Sequence, residues 1–368
     1  MSLALRVGQF HSRMRFRFSH ASADRSATEN VIVEVADPDG VCGYGEGCPR
    51  DYVTGETVET ARSFISEHGA AIIEAAQSPN DLQCWTYRNE PLIDANPAAF
   101  AAIELALLDY LGHRTGQPLE SLTGAPALTD PVEYTAVIGG GSPRSAWLIG
   151  TAHRLLGFRD FKIKLNGEIH SDARRLAALP SSARVRVDAN NFWADADGCI
   201  EHIRAIERPI WAIEEPVTAG DDDAMRAIAS SLNAKIILDE SLSRRDQLDR
   251  YAADPSRWIA NIRVSKCGGI LRAVRLAKEA QAIGLGVILG AHVGETSLLT
   301  RAALAVGQSL AEPPLAREGA YGTILLKTDL ARPALRFGRG GRLEPVSAGL
   351  NEAAGMGLEM EPGRVDWH

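Results

Sequence analysis

The chain has 368 residues, 45% of them hydrophobic and 23% charged, with a formal net charge of −8. That composition belongs to a globular protein with ample core material, and with no recurring basic cluster it excludes nucleic acid as the expected partner. No apolar stretch approaches the roughly 20 residues of a membrane span, the opening "MSLALRVGQFHSRMRF" carries neither the apolar core nor the cleavage site of a signal peptide, and five cysteines without paired spacing (Cys42, Cys48, Cys84, Cys199, Cys267) predict a reduced, cytoplasmic protein rather than a disulfide framework or a zinc site.

Residues 1–128 read as strands followed by helices. "ENVIVEVADPDGVCGYGEG" places β-rich runs around a Pro-Asp-Gly turn and predicts a hairpin. "TVETARSFISEHGAAIIEAA" and "PAAFAAIELALLDYLGHRTG" carry helical periodicity, the second ending near Gly116. "GQPLESLTGAP" breaks the pattern as a domain boundary would. From 129 to 330 the rhythm is strand, loop, helix, repeated. The predicted strands are "EYTAVIG", "FKIKLN", "RVRVDAN", "IWAIEEP", "AKIILDES", "WIANIRVSK" and "LGVILGAH", with an eighth near "GTILLK". Such alternation predicts a parallel sheet, and this many units favour a closed barrel over an open doubly wound sheet. No "GxGxxG" opens any unit, which speaks against a dinucleotide-binding fold. Residues 331–368, rich in Gly and Pro, drop the rhythm and are expected to pack back on the N-terminal domain.

In a parallel barrel, chemistry sits at the C-terminal ends of the strands. Those ends carry Lys162 and Lys164, Asp188 with Asn190, Glu214 and Glu215, Asp239 and Glu240, Lys266, and then His292 and Glu295. Asp188, Glu214 and Asp239 close apolar runs at equivalent places on successive strands. Read singly, each acid could be a helix N-cap or a solvated loop charge. Read together, three converging carboxylates demand a cation, and hard oxygen donors select magnesium, with manganese as the alternative. "FKIKLN" alternates its faces, so Lys162 and Lys164 point the same way. Lys266, four strands further on, falls on the opposite side of an eight-strand ring. A neighbouring cation makes an ammonium easier to deprotonate, so such a lysine can serve as a base. Lysines reaching out between strand and helix are the bland alternative for "KIK" alone.

These residues resemble the mandelate racemase and muconate lactonizing enzyme branch of the enolase superfamily. The ordered set that carries the resemblance is "GYGEG", "AAIELALLDYLGHRTGQPLESLTG", "KIK", "DAN", "IEEP", "LDES", "SKCGG" and "GMGLEME". The resemblance implies a modified TIM barrel, (β/α)7β-like, with an α+β capping domain completed by the C-terminal tail. It implies metal ligands Asp188, Glu214 and Asp239, and Lys164 and Lys266 as an acid/base pair. Glu295 matches a family acid that faces the substrate carboxylate, while Lys162, Asn190 and His292 are candidate substrate contacts and Glu215 and Glu240 supporting acids. The family's cap closes two loops over the substrate; here they are expected at Ser19 to Arg25 and Gly45 to Thr57, with Arg25 and Tyr52 as contacts.

The match departs in two places. A histidine–aspartate dyad, used by acid-sugar dehydratases, cannot form here because the sixth strand leads to Lys266, so His292 is either a substrate contact or structural. The Asp-x-Asp that holds the amino group of dipeptides near strand eight is replaced by "REGAYGTILL", where Glu318 is the nearest acid. The implied activity is abstraction of the α-proton of a small carboxylate through an enediolate, as a racemase, epimerase or cycloisomerase. A dehydratase is the alternative on this scaffold, and a non-catalytic barrel binding metal and carboxylate the alternative from another class. A homo-oligomer is expected, with no membrane partner.

Overall fold

The computed structural model describes residues 3–20, 23–139 and 142–368, leaving out the side chains of residues 16–25. Three strands, β1 (Ala4–His20), β2 (Ala23–Ala36) and β3 (Cys42–Gly47), pair antiparallel. The predicted Pro-Asp-Gly turn joins β2 to β3, and Asp37 Oδ1 closes it by accepting from the N–H groups of Asp39 and Val41, both at 3.0 Å. Helices α1 (Val58–Ala75), α2 (Pro79–Arg88) and α3 (Pro97–Thr115) follow. Helix α3 is buried from Pro97 to Gly112 and, apart from Glu104 and Asp109, apolar on every face there, as an enclosed helix is.

The "GYGEG" stripe explains how closely β3 and α3 meet. A Cβ on Gly43, Gly45 or Gly47 would lie 2.1, 2.0 or 2.1 Å from the backbone of α3. The segment expected to be a loop from Gly45 to Thr57 therefore begins inside a packed strand, and Asp51–Thr54 forms a helical turn.

Seven parallel strands come next: β4 (Ala136–Ile138), β5 (Asp160–Lys164), β6 (Arg184–Asp188), β7 (Ala212–Glu214), β8 (Lys235–Leu238), β9 (Trp258–Ile262) and β10 (Gly286–Leu289), neighbouring one another in chain order. Between them run α4 (Pro143–Leu155), α5 (Ile169–Ala177), α6 (Ala196–Ala205), α7 (Asp222–Leu232) and α8 (Ile270–Ala282), with α9 (Ser297–Gln308) after β10.

The eighth position is taken by residues 315–318, not by "GTILLK". Leu315 N–H donates to Val287 O at 2.8 Å and Glu318 N–H to Leu289 O at 2.8 Å, while Thr135 N–H donates to Arg317 O at 2.7 Å and closes the ring against the first strand. The expected strand fails for a local reason. Gly319 (φ 107°) and Ala320 (φ 53°) take left-handed conformations directly after Glu318, and Gly322–Leu325 is a helical turn. Inside the ring, Ala212, Ile237, Ile259, Ile288 and Ala316 form an apolar cluster below the polar strand ends. The chain returns at its end, where β11 (Val365–Trp367) lies antiparallel on β1 with Gly8 opposite Trp367. No helix among the described residues is long and apolar enough to cross a membrane.

Candidate active site

Strand alternation delivers the charged residues. On β5 it turns Lys162 and Lys164 to the inner face, and on β6 Arg186 and Asp188. Glu214 ends β7, and Asp239 follows Leu238 at the end of β8. Lys266 lies beyond β9, in the helical turn Val264–Cys267, rather than on the strand itself. Lys162, Lys164 and Lys266 are 1%, 8% and 2% exposed, so none of these ammonium groups is a solvated surface charge.

Each ammonium is balanced by acid. Lys162 Nζ lies 3.1 Å from Asp188 Oδ2, 2.8 Å from Glu214 Oε2 and 3.1 Å from Glu318 Oε1. Burial opposes its charge, but these carboxylates outweigh burial and hold it far above the ordinary lysine range. Lys164 Nζ lies 3.1 Å from Asp188 Oδ2 and donates to Asn190 Oδ1 at 2.9 Å. Lys266 Nζ donates to Asp239 Oδ1 (2.9 Å) and to the carbonyls of Asp239 (2.6 Å), Asn261 (2.8 Å) and Leu242 (3.1 Å). Arg263 bridges Asp239 and Glu214, reaching Glu214 Oε1 at 3.5 Å.

The acids respond in opposite directions. Burial works against ionised Asp188, yet Lys162 and Lys164 hold its carboxyl well below the usual range. Asp239 is likewise held low against burial, by Arg263 and Lys266. Burial pushes Glu214 up; Lys162 pulls against that, while Asp188, Glu318 and Asp239 add to it. Around Glu214, burial and the neighbouring acids together outweigh Lys162.

Among the described residues, no three acids converge on a point as they stand, because Lys162 lies between Asp188 and Glu214, and Arg263 between Glu214 and Asp239. The donor set nevertheless suits a hard divalent cation. Among the described residues, Asp188 Oδ2 and Glu214 Oε2 are buried and accept no well-directed hydrogen bond, and their ion-pair partners are ammonium groups. These carboxylates offer the hard oxygen donors such an ion takes, and its charge would replace what Lys162 and Arg263 now supply to them.

The supporting residues are built into the strand ends. Glu215 turns sideways at φ 37° and accepts from the N–H groups of Asp239 (2.6 Å) and Ser241 (2.8 Å) and from Ser241 Oγ (2.8 Å). It therefore fixes the backbone that carries Asp239. Asn190 (φ 49°) and Asn191 (φ 59°) follow Asp188 in the same unusual conformation, and Asn190 N–H donates to Asp188 Oδ1 at 3.1 Å. Backbone of this kind is held only where its surroundings over-determine it.

A cavity of about 590 Å3 opens at these strand ends. Lys162, Lys164, Asn190, Glu240, His292, Glu295 and Tyr52 line it, together with Arg263 and Glu318. Tyr52 brings the Gly45–Thr57 segment to the strand ends. Asp188, Glu214, Glu215, Asp239 and Lys266 are not among its lining residues, but Lys162 and Arg263, which line it, pair with Asp188, Glu214 and Asp239. Glu295 Oε1 accepts from His292 N–H at 2.7 Å and lies 3.3 Å from His292 Nδ1. Burial pushes the Glu295 carboxyl up to about 8, with the His292 N–H pulling against it. Burial also pushes Glu240 up, and Asp239 adds to it. The Arg25 side chain, and residues 21 and 22 of the Ser19 to Arg25 segment, lie outside the described residues.

Sequence reasoning missed Arg186, Arg263 and Asn261, and it weighed Glu318 only as a stand-in for an amino-group ligand. Glu318 instead bridges Lys162 and Arg186, at 3.1 and 2.8 Å, inside the barrel, and these cations hold its carboxyl down to about 2 against burial. Asn261 Nδ2 donates to Glu214 Oε1 at 3.2 Å. The signal for Arg186 was present, since it shares a face with Asp188 by the same alternation that marks "KIK".

Residues 6–124 match the family described as mandelate racemase / muconate lactonizing enzyme, N-terminal domain, and residues 149–364 match enolase C-terminal domain-like. The chain is 28% identical over 339 residues to the N-succinyl-L-Arg/Lys racemase of Bacillus cereus, covering 90% of this chain and 88% of that one. It is 31% identical over 294 residues to the L-Lys-D/L-Arg epimerase of Methylococcus capsulatus, covering 78% and 81%. The crystal structure of a dipeptide epimerase from Methylococcus capsulatus, complexed with Mg and the dipeptide L-Arg-D-Lys, superposes with a TM-score of 0.83 at 29% identity, over 98% of this chain and 100% of that one. The chain therefore belongs to the mandelate racemase / muconate lactonizing enzyme family, with an enolase C-terminal domain-like barrel.

Proposed function

We propose that this protein is a magnesium-dependent isomerase that racemises or epimerises a small carboxylate by moving its α-proton. The observation that carries this reading is the pair of lysines, Lys164 on the second barrel strand and Lys266 after the sixth, flanking Asp188, Glu214 and Asp239. The relatives named above, a racemase and epimerases, support it. Asp188, Glu214 and Asp239 would hold a magnesium ion, which would supply positive charge to a substrate carboxylate as its α-proton leaves. Lys164 takes a proton from one face of the α-carbon and Lys266 returns one to the other. Asn190 orients Lys164, and the carbonyls of Asn261 and Leu242 orient Lys266. Glu295 and His292 meet the substrate, and Tyr52 helps the cap exclude water from the cavity. Five cysteines without paired spacing support a cytoplasmic location. Exposed Trp147, Leu148 and Leu155 on α4 support self-association as a homo-oligomer.

Deuterium uptake from solvent at the α-carbon tests the reading. Lys164→Ala should stop exchange from one enantiomer and Lys266→Ala from the other, with net racemisation lost in both by at least roughly 10²-fold. If neither substitution alters exchange by a carboxylate that the wild type turns over, the two-base mechanism is wrong.

A further inference from the structure

The cavity extends well past the lysines. Lys164, Asn190 and Glu295 occupy one end only; the other end runs between β4, α4 and the turn that follows the closing segment. Backbone pairing between the first strand and residues 315–318 stops at Thr135 and Arg317. Gly319 and Ala320 then turn the chain away, and the Tyr321 hydroxyl takes over by accepting from Val137 N–H at 3.0 Å. The barrel wall is therefore open above this point. Val137 is in register with Lys162, so the opening begins beside the reaction centre.

The lobe beyond is apolar. Helix α4 turns Ile149 and Ala152 toward it, its C-cap Leu156 follows on the same face, and Tyr321, Ile324 and Phe337 form the facing wall. Ile149 and Leu156 remain 41% and 44% exposed, because the cavity and not the barrel faces them. Among the described residues that line this lobe none carries a charge. His153 Nδ1 lies 2.8 Å from Ile149 O, and burial pushes its imidazole down against the pull of that carbonyl. The acids on the cavity wall, Glu240, Glu295 and Glu318, all sit at the strand ends, and Glu318 is taken by Lys162 and Arg186. An ammonium group entering the lobe would find no counter-charge, whereas an alkyl chain would recover the exposed area.

We propose that this lobe is a substrate subsite for an uncharged apolar chain carried by the carboxylate substrate, either as an acyl group on the α-nitrogen or as the side chain itself. The proposal rests on the proton-transfer reading above and names its substrate class. Two series distinguish the sources: N-acyl alanines lengthened from acetyl to octanoyl, and N-acetyl amino acids lengthened from alanine to 2-aminooctanoate. Deuterium exchange by the magnesium-loaded full-length protein should rise in kcat/KM by about fourfold per methylene along one series, mainly through KM. An amine at the chain end should reverse the gain by at least roughly tenfold. Ala152→Trp, on an exposed helix face where folding tolerates it, should flatten the length dependence by filling the lobe; circular dichroism checks the fold. No length dependence in either series, or one unchanged by Ala152→Trp, would overturn the proposal. Calorimetric binding of the same compounds separates the two readings. Length-dependent binding abolished by Ala152→Trp without any exchange supports the lobe and sinks the proton-transfer reading; exchange without length dependence does the opposite.

Discussion

Lys162 and Lys164 bring their ammonium nitrogens to one oxygen, Oδ2 of Asp188, each at 3.1 Å. Their other partners separate them. Lys162 also neutralises Glu214 and Glu318, whereas Lys164 turns to Asn190 at the cavity edge. Removing Lys162 takes one cation from each of three buried acids, Asp188, Glu214 and Glu318, and breaking such a network costs about 3–5 kcal/mol. Lys164→Ala leaves Asp188 with Lys162 and should cost about 1 kcal/mol. Urea unfolding of the chelated proteins measures both. Equal losses would mean that Lys162 is not the structural cation of this cluster.

Magnesium binding is expected to depend on Asp239 directly and on Glu215 through it. Glu215 accepts from the Asp239 and Ser241 N–H groups, and Glu215→Ala would leave those buried donors without their acceptor. Loss of such a support weakens metal binding by roughly 10–100-fold, and Asp239→Asn should weaken it more. Calorimetric magnesium titration without substrate gives both values. Wild-type affinity in Asp239→Asn would remove Asp239 from the ligand set.

Much of this site is legible because strands repeat every two residues. "KIK" places two lysines on one face, and Asp188, Glu214 and Asp239 recur at strand ends, so the triad and Lys164 follow from spacing. What escaped the sequence lies where no period applies. Arg263 follows a strand into a turn, and nothing local says that it reaches across to Asp239 and Glu214. The eighth strand was misplaced because Ala320 adopts a left-handed conformation that alanine does not advertise. Glu104 is one of two acids, with Asp109, in the otherwise apolar "AAIELALLDY"; its oxygens reach the Ile270 and Leu271 N–H groups across the domain boundary, a pairing visible only once α3 is docked.

That docking contact gives a stability prediction. Gly269 sits at φ 101°, and a Cβ there would lie 2.1 Å from Glu104 Oε2. Gly269→Ala should cost about 2–4 kcal/mol, from backbone strain together with displacement of the Glu104 cap on α8. Glu104→Ala should cost about 1–3 kcal/mol by leaving buried N–H groups unsatisfied. Because alanine at 269 already displaces the carboxylate, the double variant should lose less than the sum. Strict additivity in denaturant melts would show that Gly269 and Glu104 act independently.

Glu295 should make substrate binding sensitive to alkaline pH. Burial pushes its carboxyl up to about 8; the His292 N–H, Arg263 and Arg50 pull it down, and Glu46 pushes it further up. Below that pH it is neutral and can donate a hydrogen bond to a substrate carboxylate; above it, it is an anion facing an anion. Unit charges about 4 Å apart in partly buried surroundings repel by up to about 4 kcal/mol, and a third of that is roughly tenfold in affinity. KM should therefore rise roughly tenfold or more between pH 7 and 9, and Glu295→Gln, neutral throughout, should abolish the rise. The same shift has a sign for stability. An acid whose native value lies above its unfolded value near 4.5 keeps its proton in the fold, so its contribution falls as pH rises from about 4.5 to 8. Glu295→Gln should flatten that part of the unfolding profile too. A KM profile that is level in the wild type, or equally steep in Glu295→Gln, would take Glu295 away from the substrate carboxylate.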